Sequence, residues 1–382
     1  MFDYVVDGNM TIFDFMYPTF KIDKPIRLIE LFGGVGSQAM ALRNIGADFE
    51  HYRLVEYDKY PVMSYNAIHG TNFEPTDIRN VHGNDLGIVD TDQYCYIMTY
   101  SFPCQDLSVA GKMAGMSKGS GTRSGLLWEV ERLLSEVDNL PQVLLMENVP
   151  QVISDANIED FRLWQDFLES KGYTNYVVVV NAKNQGVAQN RERAFMISLL
   201  GQWNYKFPQS IPLTKTMADY LEDKADEKYY ISQDRIQKIL NSSFSQERDI
   251  IQNGIICGTI LARDYKDPKC ITIKQATTEG YIECKLGGVA DLSYPTSKTR
   301  RGRVQDNGDV CPTLTATETG VCRIETPYRI RKLTPLECWR LMGFSDEDFH
   351  KAEKVNSNTQ LYKQAGNSIV VLVLEAIFKQ LL

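Results

Sequence analysis

The stretch IRLIELFGGVGSQAMALRNIG, from Ile26 to Gly46, sets the fold class. IRLIELF is short and apolar enough for a buried strand, GGVG is a turn, and SQAMALRNIG has the composition of a helix that stops at a glycine. Strand, tight turn and helix in immediate succession open a parallel crossover unit. Outward from it the rhythm repeats: YRLVEYD reads as a second strand with an acidic end, YCYIMTY and QVLLMENV as further strands, and GLLWEVERLLSEV and EDFRLWQDFLESKG as helices. The prediction is an α/β chain with a doubly wound, mostly parallel, Rossmann-like sheet.

YTNYVVVVNAK and RERAFMISLLG add two strands separated by only a short polar segment, so a hairpin or antiparallel element is expected to close the sheet. Beyond about Gln202 the rhythm breaks into polar, loop-rich sequence that continues to about Thr296, which predicts a second, smaller domain. The helical pattern returns in TPLECWRLMGF, with Thr334 placed to cap and Pro335 at the first helical position. A last helix over SIVVLVLEAIFKQL is apolar on most faces and needs cover on several sides, so the C-terminus is expected to dock on the first domain. The expected division is 25–200, 201–320 and a returning segment 321–382.

Composition narrows the function class. At 43% hydrophobic and 24% charged residues, the 382-residue chain is neither a disordered nor a membrane-spanning type, and its start shows no basic region followed by an apolar core. A cytoplasmic setting is expected. Eight cysteines include no CxxC pair and only four histidines accompany them, so a clustered metal site has little support. The net charge of -8 argues against a surface coated in nonspecific nucleic-acid affinity, but binding depends on where charge is concentrated.

Local features then point to chemistry. The glycine turn offers close backbone approach at a helix start, Glu56 and Asp58 end the second strand where a carboxylate can accept ribose hydroxyls, and Asp77 in PTDI precedes another loop. Together they suit a nucleoside, without separating a nicotinamide cofactor from S-adenosylmethionine. Cys104 lies just past the strand YIMTYSF, and Pro103 fixes the backbone before it; by itself such a cysteine is more often a buried structural residue. Glu147 and Asn148 end the next strand and would stand beside the thiol, where a buried glutamate with a raised pKa is equipped to donate a proton. In QNRERAF, Arg191 and Arg193 share one face if the segment is a strand, while Glu192 points the other way. SKTRRGR, with Lys298, Arg300, Arg301 and Arg303, concentrates positive charge in an acidic chain. An ordinary solvated loop explains such a run as well.

Taken in order, these blocks resemble the DNA cytosine-5 methyltransferases, especially bacterial and phage enzymes of the restriction-modification type. LIELFGGVGS is similar to their cofactor loop, SFPCQDLS to their nucleophile loop, ENVP to their catalytic glutamate, QNRERAF to their paired arginines, and RKLTPLECWRLMGF and QAGNSIVVLVLEAI to their last two blocks. The resemblance covers 27–199 and about 301–380, and leaves the interval between as the expected target recognition domain. It implies S-adenosyl-L-methionine held by Phe32, Gly34, Gly36, Glu56, Asp77, Asn367 and Ile369. It implies Cys104 as nucleophile, Glu147 at the ring nitrogen, Arg191 and Arg193 as supports, and Pro103, Gln105 and Asn148 as shapers of the site. Duplex DNA is the expected partner, with Ser108, Arg123, the basic run and Thr313 and Thr315 in VCPTLTATETG as contacts.

The chain departs from the family in having Glu30 where many relatives have Asp, Ser37 where Gly is common, and Asn184, Gln185 and Ala188 where Asp, an aromatic residue and Pro are frequent. The four chemical residues are intact. A monomer is expected, because one flipped base needs no twofold partner, and a cognate restriction endonuclease would act separately. Rival readings are a DNA-binding module without turnover, a tRNA cytosine methylase and a dehydrogenase. The last leaves Cys104, Glu147 and the basic segments without linked roles.

Overall fold

The computed structural model describes residues 17–104, 107, 115–119, 121–215, 217–222, 224–229 and 333–382, together with the backbone of four short strands. Gln105, Ser108, Lys298, Arg300, Arg301, Arg303, Thr313 and Thr315 lie outside the described residues.

Six strands form the central sheet: β1 (Ile26–Leu31), β2 (Phe49–Val55), β3 (Cys95–Tyr100), β4 (Val143–Asn148), β5 (Tyr173–Asn181) and β6 (Glu192–Leu200). Their spatial order is β2-β1-β3-β4-β6-β5. The first four run parallel, and β6 runs antiparallel to both of its neighbours. The predicted doubly wound sheet with an antiparallel closing hairpin is thus what forms. Every residue of β3 and β4 is buried, as expected of central strands covered on both faces.

Register carries the functional consequence. Val55, Leu31, Tyr100, Met146 and Met196 stand in one row across the sheet. The parallel strands leave that row towards Glu56, Phe32, Ser101 and Glu147. Because β6 is reversed, its own start at Arg193 emerges at the same edge.

Helices cover both faces: α1 (Ser37–Asn44), α2 (Lys59–His69), α3 (Leu127–Glu136), α4 (Ile158–Ser170), α5 (Pro335–Arg340), α6 (Asp346–Glu353), α7 (Asn358–Asn367) and α8 (Val371–Leu381). One core joins α1 and α5–α8 to the sheet, and a second lies under α3 and α4. The C-terminal helix docks as its composition predicts, with α8 packing on α1 and burying Val371, Val373, Leu374, Ile377, Phe378 and Leu381. Thr334 caps α5 in a capping box with Glu337, and Pro335 occupies the first turn. Among the described residues no single helix is long and apolar enough to cross a membrane.

Past Gln202 the chain still packs on this body, with Tyr205, Tyr220 and Tyr229 in the α1 core. Further along, β7 (Ile250–Gln252) pairs in parallel with β8 (Cys270–Thr272), and β9 (Val289–Asp291) pairs antiparallel with β10 (Val321–Arg323).

The glycine turn has two different jobs. Gly34, at φ +56°, has nothing within 4 Å of where a side chain would begin. Gly36 caps α1 at φ +85°, and an added Cβ would stand 2.5 Å from His69 Nε2 and 2.6 Å from Tyr65 Cε2. Gly36→Ala is therefore expected to combine left-handed strain of about 1–2 kcal/mol with an overpacking cost of about 1–3 kcal/mol. Gly34→Ala should show the strain alone. Urea unfolding of both variants checks this: equal midpoints would contradict it.

Candidate active site

The carboxyl edge of the sheet opens into a cleft of about 870 Å³, within the range of sites that enclose a ligand. Cys104, Glu147, Arg191 and Arg193 line it, as do Phe32, Gly34, Glu56, Asp77, Asn367 and Ile369. Pro103, Asn148 and Arg123 line it too. Residues from the first 150 and the last 25 positions therefore meet in one space. Gly36 stands between Val35 and Ser37, which line the cleft, and its missing side chain makes room for α2.

On the glycine side, Glu56 is fixed by two backbone donors, Gly34 N–H to Oε2 at 3.1 Å and Asp58 N–H to Oε1 at 2.8 Å. Burial raises its pKa, against the lowering effect of those bonds. Asp58 instead caps α2, accepting from Tyr60 N–H at 3.0 Å. Asp77 faces the cleft with Arg79 clamped on its carboxylate, Nη2 to Oδ2 at 2.5 Å, and that pairing lowers its pKa. Phe32 holds a left-handed backbone at φ +58° and donates its N–H to Val55 O at 2.7 Å, which ties the ends of β1 and β2 together. An aromatic ring, a glycine without a Cβ, the Glu56 carboxylate at a strand end and the Asp77 carboxylate on a loop fit the adenosine half of S-adenosylmethionine. Tyr57 and Ile78 also line this wall, and neither has a spacing signal that would have singled it out.

At the other end, Arg193 Nε meets Glu147 Oε1 at 3.0 Å. Burial raises the Glu147 pKa, while the charges of Arg193 and Arg191 pull it down. Cys104 follows the same logic. Burial raises its thiol pKa, the Glu147 charge adds to this, and Arg193 and Arg191 oppose it. The two arginine cations lower the thiol pKa, but burial outweighs them and the net shift is upward.

Asn148 and Ser124 hold the cysteine backbone. Asn148 Nδ2 donates to Phe102 O at 3.0 Å, and Ser124 Oγ donates to Pro103 O at 2.7 Å. Ser124 is 20 residues from Cys104, so local spacing gives no hint of it. Arg191 donates through Nη2 to Gly366 O at 3.0 Å and Ser368 O at 2.8 Å, and so fastens the turn that carries Asn367 to the start of β6. The cleft thus brings a thiol and a carboxyl group whose pKa burial raises into one space, next to a wall suited to a nucleoside.

The family described as C-5 cytosine-specific DNA methylase matches residues 26–382. The chain is 32% identical to a type II methyltransferase, M2.ScrFI, of Lactococcus lactis subsp. cremoris over 93% of this chain and 99% of the relative. It is 31% identical to the orphan methyltransferase M.SssI of Spiroplasma monobiae, over 94% and 97%. In fold it is similar to Entamoeba histolytica methyltransferase EhMeth, with a TM-score of 0.65 at 16% identity over 94% of this chain and 98% of the other. It is also similar to the Dnmt2 methyltransferase of S. pombe, with a TM-score of 0.62 at 20% identity over 93% and 97%.

Because Arg193 opposes the rise in the Cys104 pKa, Arg193→Ala should move thiol reactivity to higher pH. Alkylation of Cys104 by iodoacetamide, followed by mass spectrometry across a pH series, reads this directly. A shift to lower pH would contradict the charge assignment.

Proposed function

The chain belongs to the C-5 cytosine-specific DNA methylase family, and from this we propose that it methylates C5 of a cytosine flipped out of duplex DNA through a covalent bond to Cys104. The observation that carries the reading is the convergence of Cys104, Glu147, Arg191 and Arg193 on the cleft that Phe32 and Glu56 also line. Dependence on S-adenosylmethionine comes with the family. When bound, that group supplies an electrophilic methyl.

Cytosine C5 is a poor nucleophile until electron density is pushed onto it. Cys104 does this by adding its sulfur to C6. Glu147, kept protonated to higher pH than an ordinary carboxylic acid, donates a hydrogen bond to N3 and stabilises the charge that develops there. Once C5 has used its electron pair to take the methyl, loss of the C5 proton to solvent and departure of the Cys104 thiolate restore the ring. Arg193 orients Glu147, and Arg191 holds the C-terminal turn against the same wall. On the cofactor side, Glu56 takes the ribose hydroxyls, Asp77 faces the adenine edge, and Gly34, Asn367 and Ile369 shape the wall.

C5 and C6 are covered by stacking within a duplex, so the base must rotate out, at a cost of roughly a few kcal/mol. Backbone contacts must offset that cost. Arg123, on the cleft wall, is placed to meet a phosphate. Ser108, Thr313, Thr315 and the basic run 297–303 belong to the proposal as contacts, and 201–320 as the recognition domain between the catalytic unit 25–200 and the returning segment 321–382. DNA is preferred to tRNA because the family description names DNA and because the long 201–320 interval suits a duplex-reading domain.

Transfer of labelled methyl to duplex DNA should disappear in Cys104→Ser, and DNA carrying 5-fluorocytosine at the target should become covalently attached to residue 104 of the natural protein. Full activity of the serine variant, or the absence of any adduct in an active preparation, would overturn the nucleophile. Glu147→Gln should lose at least about 100-fold in turnover while S-adenosylhomocysteine binding stays within about twofold. Undiminished turnover would remove its role.

A further inference from the structure

Ser101 follows β3 directly and lines the cleft. Tyr100 is paired with Met146 across the β3–β4 ladder, so the next residue on each strand, Ser101 and Glu147, leave the sheet side by side. Arg193 Nε already engages Glu147 Oε1 at 3.0 Å. Ser101 Oγ, by contrast, is buried and makes no hydrogen bond among the described residues. A buried hydroxyl left idle is destabilising and calls for a reason. Because this oxygen is shut off from the cleft, a bound ligand is not its partner. It does stand near enough to Glu147 to lower that carboxyl's pKa, the direction expected of a donor that favours the charged form.

We infer that Ser101 is a positioning residue for Glu147, whose hydroxyl turns to donate to the Glu147 carboxylate as the acid shares its proton with N3 of the base. The inference rests on the role proposed for Glu147 and deepens it by naming a second donor on that carboxyl. Rotation about χ1 and of the hydroxyl itself is enough to redirect Ser101. No covalent bond at Ser101 forms or breaks, and the proton that moves is the one on Glu147. Before reaction the buried acid holds its proton more firmly than an ordinary carboxylic acid, and a neutral carboxyl is a weak acceptor. Once charge develops there, the adjacent hydroxyl gains a strong one. An interaction that is weak in the ground state and strong in the transition state raises turnover without tightening substrate binding. The charged and titratable groups bearing on Glu147 are Arg193 and Arg191 at the start of β6 and Cys104 on the segment after β3. Ser101 is uncharged, so removing its hydroxyl alters hydrogen bonding there and leaves the net charge unchanged.

The test follows labelled-methyl transfer to duplex DNA by the full chain across a pH series. Turnover needs the Glu147 proton and falls on the alkaline side as that proton is lost. A donor to the carboxylate favours the loss, so its removal raises the Glu147 pKa. Ser101→Ala should therefore move the alkaline limb up by about 0.5–1 pH unit and lower kcat about tenfold, with KM for DNA and S-adenosylhomocysteine binding within about twofold. Ser101→Thr keeps a hydroxyl and should restore both the limb and kcat. In the Glu147→Gln background, where no carboxylate forms, Ser101→Ala should cost less than about twofold more. Thermal unfolding reports that each variant is folded. An alkaline limb that stays in place or moves down, or an equal loss with and without the Glu147 carboxyl, overturns the inference. Undiminished turnover of Glu147→Gln brings down the Glu147 reading first, whereas a crippled Glu147→Gln beside an unaffected Ser101→Ala overturns this inference alone.

Discussion

The site depends on the reversal of one strand. Because β6 runs antiparallel between β4 and β5, it begins where β4 ends, and Arg193 meets Glu147. Were β6 parallel, its nine residues would carry the arginines to the far edge, roughly 30 Å away. A buried carboxyl with no cation near it simply takes up a proton and stays neutral. With Arg193 and Arg191 beside it, Glu147 is pulled back from the fully raised pKa that burial alone would impose.

The second constraint is closure by the C-terminus. Arg191 reaches Gly366 and Ser368, Arg43 on α1 pairs with Asp348 on α6, and α8 lies along α1. These contacts span more than 150 residues of sequence, so the wall carrying Gln364, Asn367 and Ile369 is positioned by the catalytic unit. The same arginine segment that tunes the acid thus locks the opposite wall of the cofactor cleft.

What could be read from sequence followed from how local its cause was. The Thr334 cap, the α5 start at Pro335 and the glycine that ends α1 are set by residues within one turn. α2 escaped because Pro61 falls inside it; Pro61 is in the first turn, where a missing N–H costs nothing, and Asp58 at the apparent end of a strand is its cap. The packing constraint on Gly36 is set by the His69 and Tyr65 rings on a later helix, which its neighbours along the chain do not reveal. Glu30, the departure from the family's Asp, is wholly buried, accepts from Tyr65 OH at 2.5 Å and has its pKa raised to about 8 by burial. Nothing in its neighbours along the chain announces that environment.

If Cys104 is the nucleophile proposed above, the rise of its thiol pKa on burial has a chemical use. A thiolate held beside a sulfonium is itself a target for methylation, and a methylated cysteine could no longer add to a base. Burial raises the thiol pKa and keeps the reactive anion scarce while the cleft contains no pyrimidine. An incoming base displaces water, and in the drier site the charges of Arg191 and Arg193 act over a lower dielectric. The thiolate is then favoured where C6 can accept it. The same desolvation that suppresses the nucleophile in the open cleft therefore strengthens the cations that release it once the substrate fills the space.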